Sequence, residues 1–456
     1  MTVFDARSEA GGMMRYAIPA YRLPRDILDK EIKDILDLGI EFRPNHALGK
    51  DFTLEQLKGE DFDAVFLGVG AQLSRRIPVE GAELADVLWG VDFLGQVAEG
   101  EDIHLKDRVI VIGGGNVAVD VARSAFRLGA KEVCILYRRC RAEMPAYEEE
   151  VMQAINEGIS IIFQVTPNKI SQKDGKLNLE CLRIELGEPD ASGRKRPIPI
   201  KNSNFDIEFD DIIVAIGQRV ELPVEFDLLP GPTSGLKVDA NTLATSRKGA
   251  FAGGDVVTGP ATVIEAIVMG RKAAQSIDKV LGGTGGIEEV LLEKESPTQF
   301  LGRNERFALW PRERCAEIGL EGRHQGFEEV LRGYTDDQAL KEATRCLQCD
   351  LRLLLGSNPS PPGKIVAFTE ENINQVPEEE GVFQLYDEDR NVIAIKGTGN
   401  MREGLLEDLE ENTAAAWFDF EEDKMYSKRE SELIQKYLQE HGEMPGGGDS
   451  DLDDLF

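Results

Sequence analysis

Apolar positions follow two rhythms along this chain, and the clearest switch between them lies between Arg108 and Arg139. Val109-Ile110-Val111-Ile112 is a continuous apolar run, the pattern of a short strand buried on both faces. From Asn116 to Leu128 apolar side chains recur at helical spacing (Val117, Val121, Ala125, Leu128), and Gly129 closes the predicted helix. A second run, Val133-Cys134-Ile135-Leu136-Tyr137, predicts another buried strand that ends in Arg138-Arg139. Together these make a β-α-β unit with Gly113, Gly114 and Gly115 at the strand-to-helix turn. Ala118 stands where the third glycine of a G-x-G-x-x-G/A fingerprint would be.

That context decides what the glycines imply. Without side chains the backbone can approach a pyrophosphate held on the free N–H groups of the helix N-terminus. The alternative is a tight glycine-rich turn with no ligand, and the flanking strand, helix and second strand argue against it. An acid at the end of the second strand suits the ribose 2′-OH of NAD, whereas arginine suits a 2′-phosphate. Arg138 and Arg139 therefore point to NADPH, against the plainer reading of two solvated arginines.

Similar punctuation recurs on either side. Thr2-Val3-Phe4-Asp5 has the pattern of a strand end with an acid at its tip, the ribose-binding position of a second nucleotide unit. The strand, glycine turn and helix expected before it are absent from the sequence, so the chain is expected to begin inside such a domain. A helix is predicted over 26–38, with strands near 40–42, 64–70 and 212–216. Gly249 to Asp255 forms a further strand ending in an acid, followed by Gly259-Pro260-Ala261-Thr262 and a helix over 263–281. Asp255 can hydrogen-bond a ribityl hydroxyl, and the next helix N-terminus can stabilise negative charge on a reduced flavin. An ordinary N-cap is the competing role for Asp255.

Composition narrows the class. The 456 residues carry 52 Lys+Arg against 83 Asp+Glu, a formal net charge of −31, which repels nucleic acid and anionic membrane surfaces. No apolar run approaches transmembrane length and no signal peptide is evident, so no membrane insertion is expected. Six cysteines (134, 140, 181, 315, 346, 349) are sparse for this length and suit a reducing, cytoplasmic setting.

Three groups of motifs in this order carry a family resemblance: Glu9-Ala10-Gly11-Gly12 through Arg22-Leu23-Pro24, the nucleotide unit through Ala142-Glu143-Met144-Pro145-Ala146, and Ala252-Gly253-Gly254-Asp255. They resemble the small-subunit (beta-chain) family of NADPH-dependent glutamate synthase, within the flavoproteins that have two dinucleotide-binding domains. The resemblance covers residues 1 to about 282. It implies that Asp5, Gly12, Met13, Arg22, Gly254, Asp255, Thr262 and Val263 line FAD, and that Gly113, Gly115, Asn116, Val117, Arg138 and Arg139 hold NADPH. It also implies hydride transfer from NADPH to FAD, with single electrons passing to iron–sulfur clusters and a redox partner subunit. No side-chain acid or base is assigned to that chemistry. The flavin-side glycine fingerprint of the family does not occur in this sequence, which leaves a redox-inactive or split-subunit scaffold as the rival function. Cys134 and Cys140 lack the C-x-x-C spacing of thioredoxin-reductase-like enzymes.

The expected fold is α/β: two Rossmann-like domains with three layers and parallel sheets, the first lacking its opening βα unit, plus a small C-terminal α+β domain. The division expected is 1–103 for the first part of the FAD domain, 104–248 for the NAD(P)H domain and 249–282 for the return segment. A connector over 283–362 holds Cys346-Leu347-Gln348-Cys349, half the ligands of a [4Fe–4S] cluster shared with other cysteines, or else an unused pair. Over 363–445, a hairpin (381–387, 392–397), Arg402 and a helix over 428–440 bearing Glu430 resemble the GIY-YIG nuclease domain. That domain's tyrosines are missing, with Phe383 in the first triplet and Ile395-Lys396-Gly397 as the second, and acids crowd the module. A non-catalytic protein-contact module is expected, without nucleic acid, followed by an acidic flexible tail over 446–456.

Overall fold

Arg108–Ile112 is the middle strand of a five-stranded parallel sheet in the computed structural model of this chain. The order across the sheet is Val87–Trp89, Asp211–Val214, Arg108–Ile112, Glu132–Tyr137 and Ser160–Phe163. The structure describes residues 1–60, 62–173, 176–189, 194–222, 235–286, 311–324, 326–344, 365–411 and 414–423, with Tyr426, Arg429, Glu430, Leu433, Ile434, Tyr437 and Pro445 beyond.

Alternation along the central strand explains its unbroken apolar run. Val109 and Val111 enter a core formed with helices Gly90–Glu99, Asn116–Arg127 and Glu148–Asn156. Ile110 and Ile112 face the other way, against Ile170, Leu177, Leu179 and Cys181. These four belong to an antiparallel sheet of Val165–Lys173, Lys176–Pro189, Lys195–Pro199 and Phe205–Phe209. The parallel sheet is thus covered by helices on one face and by a β-ribbon on the other. Val109, Ile110 and Val111 are wholly buried, each contributing roughly 1.5–3 kcal/mol relative to exposure.

The division expected at residue 104 needs correction. The chain enters the nucleotide unit at Leu73–Ser74 and leaves it at Gln218–Arg219, and these two crossings pair antiparallel. Val87–Trp89, expected on the flavin side, is the edge strand of the nucleotide sheet because its residues pair in parallel with Ile212–Val214.

On the flavin side, Thr2–Phe4 pairs in parallel with Glu41–Arg43, and Val65–Leu67 pairs in parallel with Ala250–Ala252. Among the described residues these remain two separate two-stranded sheets. They share one core, in which Leu67, Ala252 and Val256 pack with Phe4 and Phe62.

Described residues of the connector pack onto the same body. Val330 donates its N–H to the Tyr21 carbonyl at 3.1 Å, and the Phe327 and Tyr21 rings lie 6.1 Å apart. Cys346 and Cys349, with the rest of 345–364, lie outside the described residues, as does the tail over 446–456. The C-terminal module is a four-stranded antiparallel sheet ordered Val366–Ala367, Trp417–Glu422, Gly381–Tyr386 and Val392–Thr398, and the predicted hairpin supplies its last two strands. Helix Met401–Glu411 covers one face, while Ile434 packs with Tyr426, Leu433 and Tyr437 on the other. Among the described residues no helix is long and apolar enough to cross a membrane.

Candidate nucleotide and flavin site

The glycine turn of the nucleotide unit divides its three residues by task. Gly113 has φ +150°, and a Cβ there would lie 2.1 Å from the Ala215 carbonyl oxygen. A Cβ on Gly114 would lie 2.3 Å from the Tyr137 ring. Both glycines are required for the backbone to fit the sheet. Gly115 differs: its φ of −89° suits any residue, and its Cβ would meet only Pro145 Cγ, at 3.9 Å. Open space therefore lies over Gly115, and Asn116 and Val117 beside it are partly exposed at the helix N-terminus. A cradle that a side chain would fill, beside a helix start with no side-chain cap, fits a pyrophosphate.

Neighbouring elements hold this turn in place. The Asn116 Oδ1 accepts the Tyr147 N–H at 2.9 Å, and the Gly114 carbonyl accepts the Ala146 N–H at 3.3 Å. Asn116 thus fastens the segment after Pro145 beside the turn. The Tyr137 hydroxyl donates to the Glu143 carbonyl at 2.7 Å, which ties the second strand to the same segment.

The two arginines at the strand end have different surroundings. Arg138 is exposed, whereas Arg139 is only 3% exposed and donates its Nε to the Lys195 carbonyl at 2.8 Å. A Glu143 carboxylate oxygen accepts the Lys195 N–H at 2.7 Å, so Lys195 is pinned beside the end of this strand through both of its peptide groups.

The flavin-side residues lie at strand ends and turns. Asp5 follows its strand and accepts the Arg7 N–H at 2.8 Å, while burial raises its carboxyl above the usual range. Gly12 opens helix Gly12–Tyr16 at φ +50°, a Cβ there would meet nothing within 4 Å, and Met13 is partly buried beside it. Gly254 turns the chain at φ +74°. Asp255 then accepts the Ala261 N–H at 3.2 Å, and burial raises its carboxyl too. Thr262 caps helix Val263–Val280 in a reciprocal pair with Glu265, and Val263 stands 41% exposed in the first turn. Gly253-Gly254 joins strand Ala250–Ala252 to helix Asp255–Thr258 on this side, but a second G-x-G-x-x-G/A fingerprint does not occur in the sequence. The open glycine and free helix start fit the pyrophosphate of a dinucleotide, the exposed Arg138 fits a 2′-phosphate, and the flavin-side residues fit part of a flavin nucleotide.

Arg22, assigned to FAD by resemblance, is engaged elsewhere. Its Nη1 donates to both Asp120 oxygens at 2.9 and 3.0 Å, and its Nε pairs with Glu150 at 3.0 Å. Asp120 lies on the helix that starts at the glycine turn, so Arg22 joins the flavin-side segment to the nucleotide unit. Around it is a buried network that the sequence reading missed. Arg123 and Arg127 flank the Tyr21 ring at 4.6 and 4.0 Å and both reach Glu157 at 2.8 Å. Arg323 of the connector approaches Glu157 at 3.6 Å and also pairs with Glu317. Burial alone would raise the Glu157 carboxyl, yet hydrogen bonds from Arg127 and Arg123 hold it down at about 2. Complete burial pushes Asp120 up to about 7, against the lowering effect of Arg22 and with a raising one from Glu150. Asp120, Arg123 and Arg127 stand at i, i+3 and i+7 on one helix, a polar stripe that could have been noticed opposite the apolar one.

Among the described residues there is no cluster of His, Cys, Asp or Glu suited to a metal ion. Cys134 and Cys181 are buried free thiols, raised by burial, with Cys181 at about 12, so neither is a ready thiolate. In the C-terminal module, Arg402 donates its Nε to the Val376 carbonyl at 2.8 Å and pairs with Glu378. Glu430 is 5% exposed and faces Lys195, 3.9 Å away. The two residues shared with the nuclease pattern thus engage different partners.

Comparison with known proteins bears on the family and the fold. The chain is 41% identical over 363 residues to the NADP(+)-dependent formate dehydrogenase subunit beta of Moorella thermoacetica, a match covering 76% of this chain and 51% of that protein. It is 34% identical over 291 residues to the glutamate synthase [NADPH] small chain of Azospirillum brasilense, covering 60% of each. The chain therefore spans about half to three-fifths of the length of these relatives. Mycobacterium tuberculosis FprA in complex with NADPH shares the fold, with a TM-score of 0.54 at 19% identity over 62% of this chain and 77% of that one. Residues 10–270, more than half the chain, match the pyridine nucleotide-disulphide oxidoreductase family. The chain belongs to that family, the NAD(P)H-dependent flavin oxidoreductases whose cofactors are FAD and NAD(P)H.

Proposed function

We propose that this chain is the NADPH-oxidising part of a multi-subunit oxidoreductase. The observation that carries the reading is the open cradle at Gly115 together with the exposed Arg138 at the end of the next strand. Backbone N–H groups of the first helical turn bind the pyrophosphate, and the guanidinium of Arg138 donates to the 2′-phosphate oxygens in a charge-assisted, forked geometry. Arg139, buried against the Lys195 carbonyl, keeps that corner in place rather than binding the phosphate itself. Bound flavin supplies the hydride acceptor. Asp5, Gly12, Met13, Gly254, Asp255, Thr262 and Val263 are the residues of this chain that would meet it. NADPH leaves as NADP+, and because the hydride carries both electrons no side-chain acid or base is needed for that step. Arg22 acts through Asp120, setting the flavin-side segment against the nucleotide helix.

The onward acceptor is a partner redox subunit. The relatives above are named as a beta subunit and a small chain, which supports a part played within a larger assembly. Cys346 and Cys349 would give two ligands to a shared [4Fe–4S] cluster on that path. Equilibrium binding of NADPH and NADH tests the reading. At least about tenfold tighter NADPH binding is expected from one charge-assisted contact, and equal affinities would contradict it.

A further inference from the structure

The C-terminal module meets the nucleotide unit at one place that matters for recognition. Lys195 lies on the β-ribbon, and its backbone is fixed beside the end of the strand that carries Arg138 and Arg139. Its side chain is 30% exposed, and the ammonium faces the Glu430 carboxylate of the module at 3.9 Å. Glu430 itself is almost fully buried, although its module packs Tyr426, Leu433, Ile434 and Tyr437 onto its own sheet. A buried carboxylate beyond that internal packing has its cationic partner on another unit. The contact is held against resistance: burial raises Glu430, Lys195 lowers it, and the nearby carboxylates of Glu143 and Glu188 raise it again. Such an ion pair is releasable when a stronger anion arrives. The module is rich in acids at Glu378, Glu379, Glu380, Glu421, Glu422 and Asp423, which complements a basic corner holding Arg194, Lys195 and Arg196.

We propose that Lys195 is a second cation of the nucleotide 2′-phosphate subsite and that Glu430 of the C-terminal module competes with the 2′-phosphate for it. The module thereby sets how strongly this chain prefers 2′-phosphorylated dinucleotides. The inference rests on the assignment of the 2′-phosphate to the Arg138 corner. Binding of the phosphate and docking of the module are linked reciprocally, so each weakens the other by the same factor.

Calorimetric titration of the full chain with 2′-phospho-ADP-ribose and with ADP-ribose tests this, since neither probe depends on bound flavin. Glu430→Gln keeps the shape and an acceptor for the Gly397 backbone while removing the charge. It is expected to tighten 2′-phospho-ADP-ribose about fivefold, the low end of couplings between sites, and to leave ADP-ribose unchanged. Lys195→Met is expected to weaken only the 2′-phosphorylated probe and to abolish the effect of Glu430→Gln in the double variant. If both variants leave the ratio of the two affinities where the parent has it, the inference is overturned while the NADPH reading stands. A parent chain that binds the two probes equally overturns both.

Discussion

Gly113 and Gly115 stand two residues apart in one turn, and their substitutions should fail in different ways. A Cβ at Gly113 meets the Ala215 carbonyl oxygen at 2.1 Å, so Gly113→Ala must move backbone in the sheet. A loss of at least about 1–3 kcal/mol is expected in denaturant unfolding. At Gly115 the same change meets open space, so stability should hold while nucleotide affinity falls, because the methyl occupies the approach to the helix N–H groups. Unchanged nucleotide binding by Gly115→Ala would remove the cradle from the account. Arg138→Ala is expected to weaken NADPH by about 10- to 100-fold, as for loss of a charge-assisted hydrogen bond, with little effect on NADH. An equal loss for both nucleotides would detach Arg138 from the 2′-phosphate. The motif was legible in the sequence, but the distinction between structural and open glycines was not. It depends on Ala215 and Tyr137, which the fold brings up from elsewhere in the chain.

The helix Asn116–Arg127 carries more than its apolar stripe. Its predicted limits agree with the structure to within a residue because one face packs on buried strands. Its other face was missed, since Asp120, Arg123 and Arg127 have the pattern of a solvated side until the Tyr21 segment and helix Glu148–Asn156 cover them. The β-ribbon over 165–209 went unread for a related reason. Leu177, Leu179 and Cys181 alternate with Asn178 and Glu180, a weaker signal than a continuous run, and their burial follows from the sheet they cover. Glu157 reports on the network most directly. Glu157→Gln leaves Arg123 and Arg127 short of a buried counter-charge, and a loss of about 3–5 kcal/mol is expected. The carboxyl is held down at about 2 from an ordinary 4.5, so the stability it contributes is present above pH 4.5 and is lost as pH falls toward 2. Urea unfolding across that window should show parent and variant converging. A constant gap down to pH 2 would mean the network is not what stabilises this helix pair.

At the scale of the whole molecule, the two nucleotide-type units meet at the paired crossings and at Arg22–Asp120. If that ion pair aligns them, Arg22→Ala should lower the rate of hydride transfer far more than nucleotide affinity. The variant should still fold: burial has already pushed Asp120 up to about 7, so without Arg22 it takes a proton instead of remaining an unpaired buried charge. Equal effects on rate and affinity would make Arg22 a general structural contact. The central claim, that NADPH bound at this turn reduces a flavin, has a direct measurement. The purified full chain, supplied with FAD, is mixed anaerobically in a stopped-flow instrument with NADPH, with NADH, or with NADPH deuterated at C4 of the nicotinamide. The account predicts bleaching of the flavin absorbance that is faster with NADPH than with NADH, slowed by the transferred deuterium, and stripped of its NADPH preference in Arg138→Ala. Flavin that stays oxidised with NADPH, or bleaches equally with both nucleotides, would contradict it.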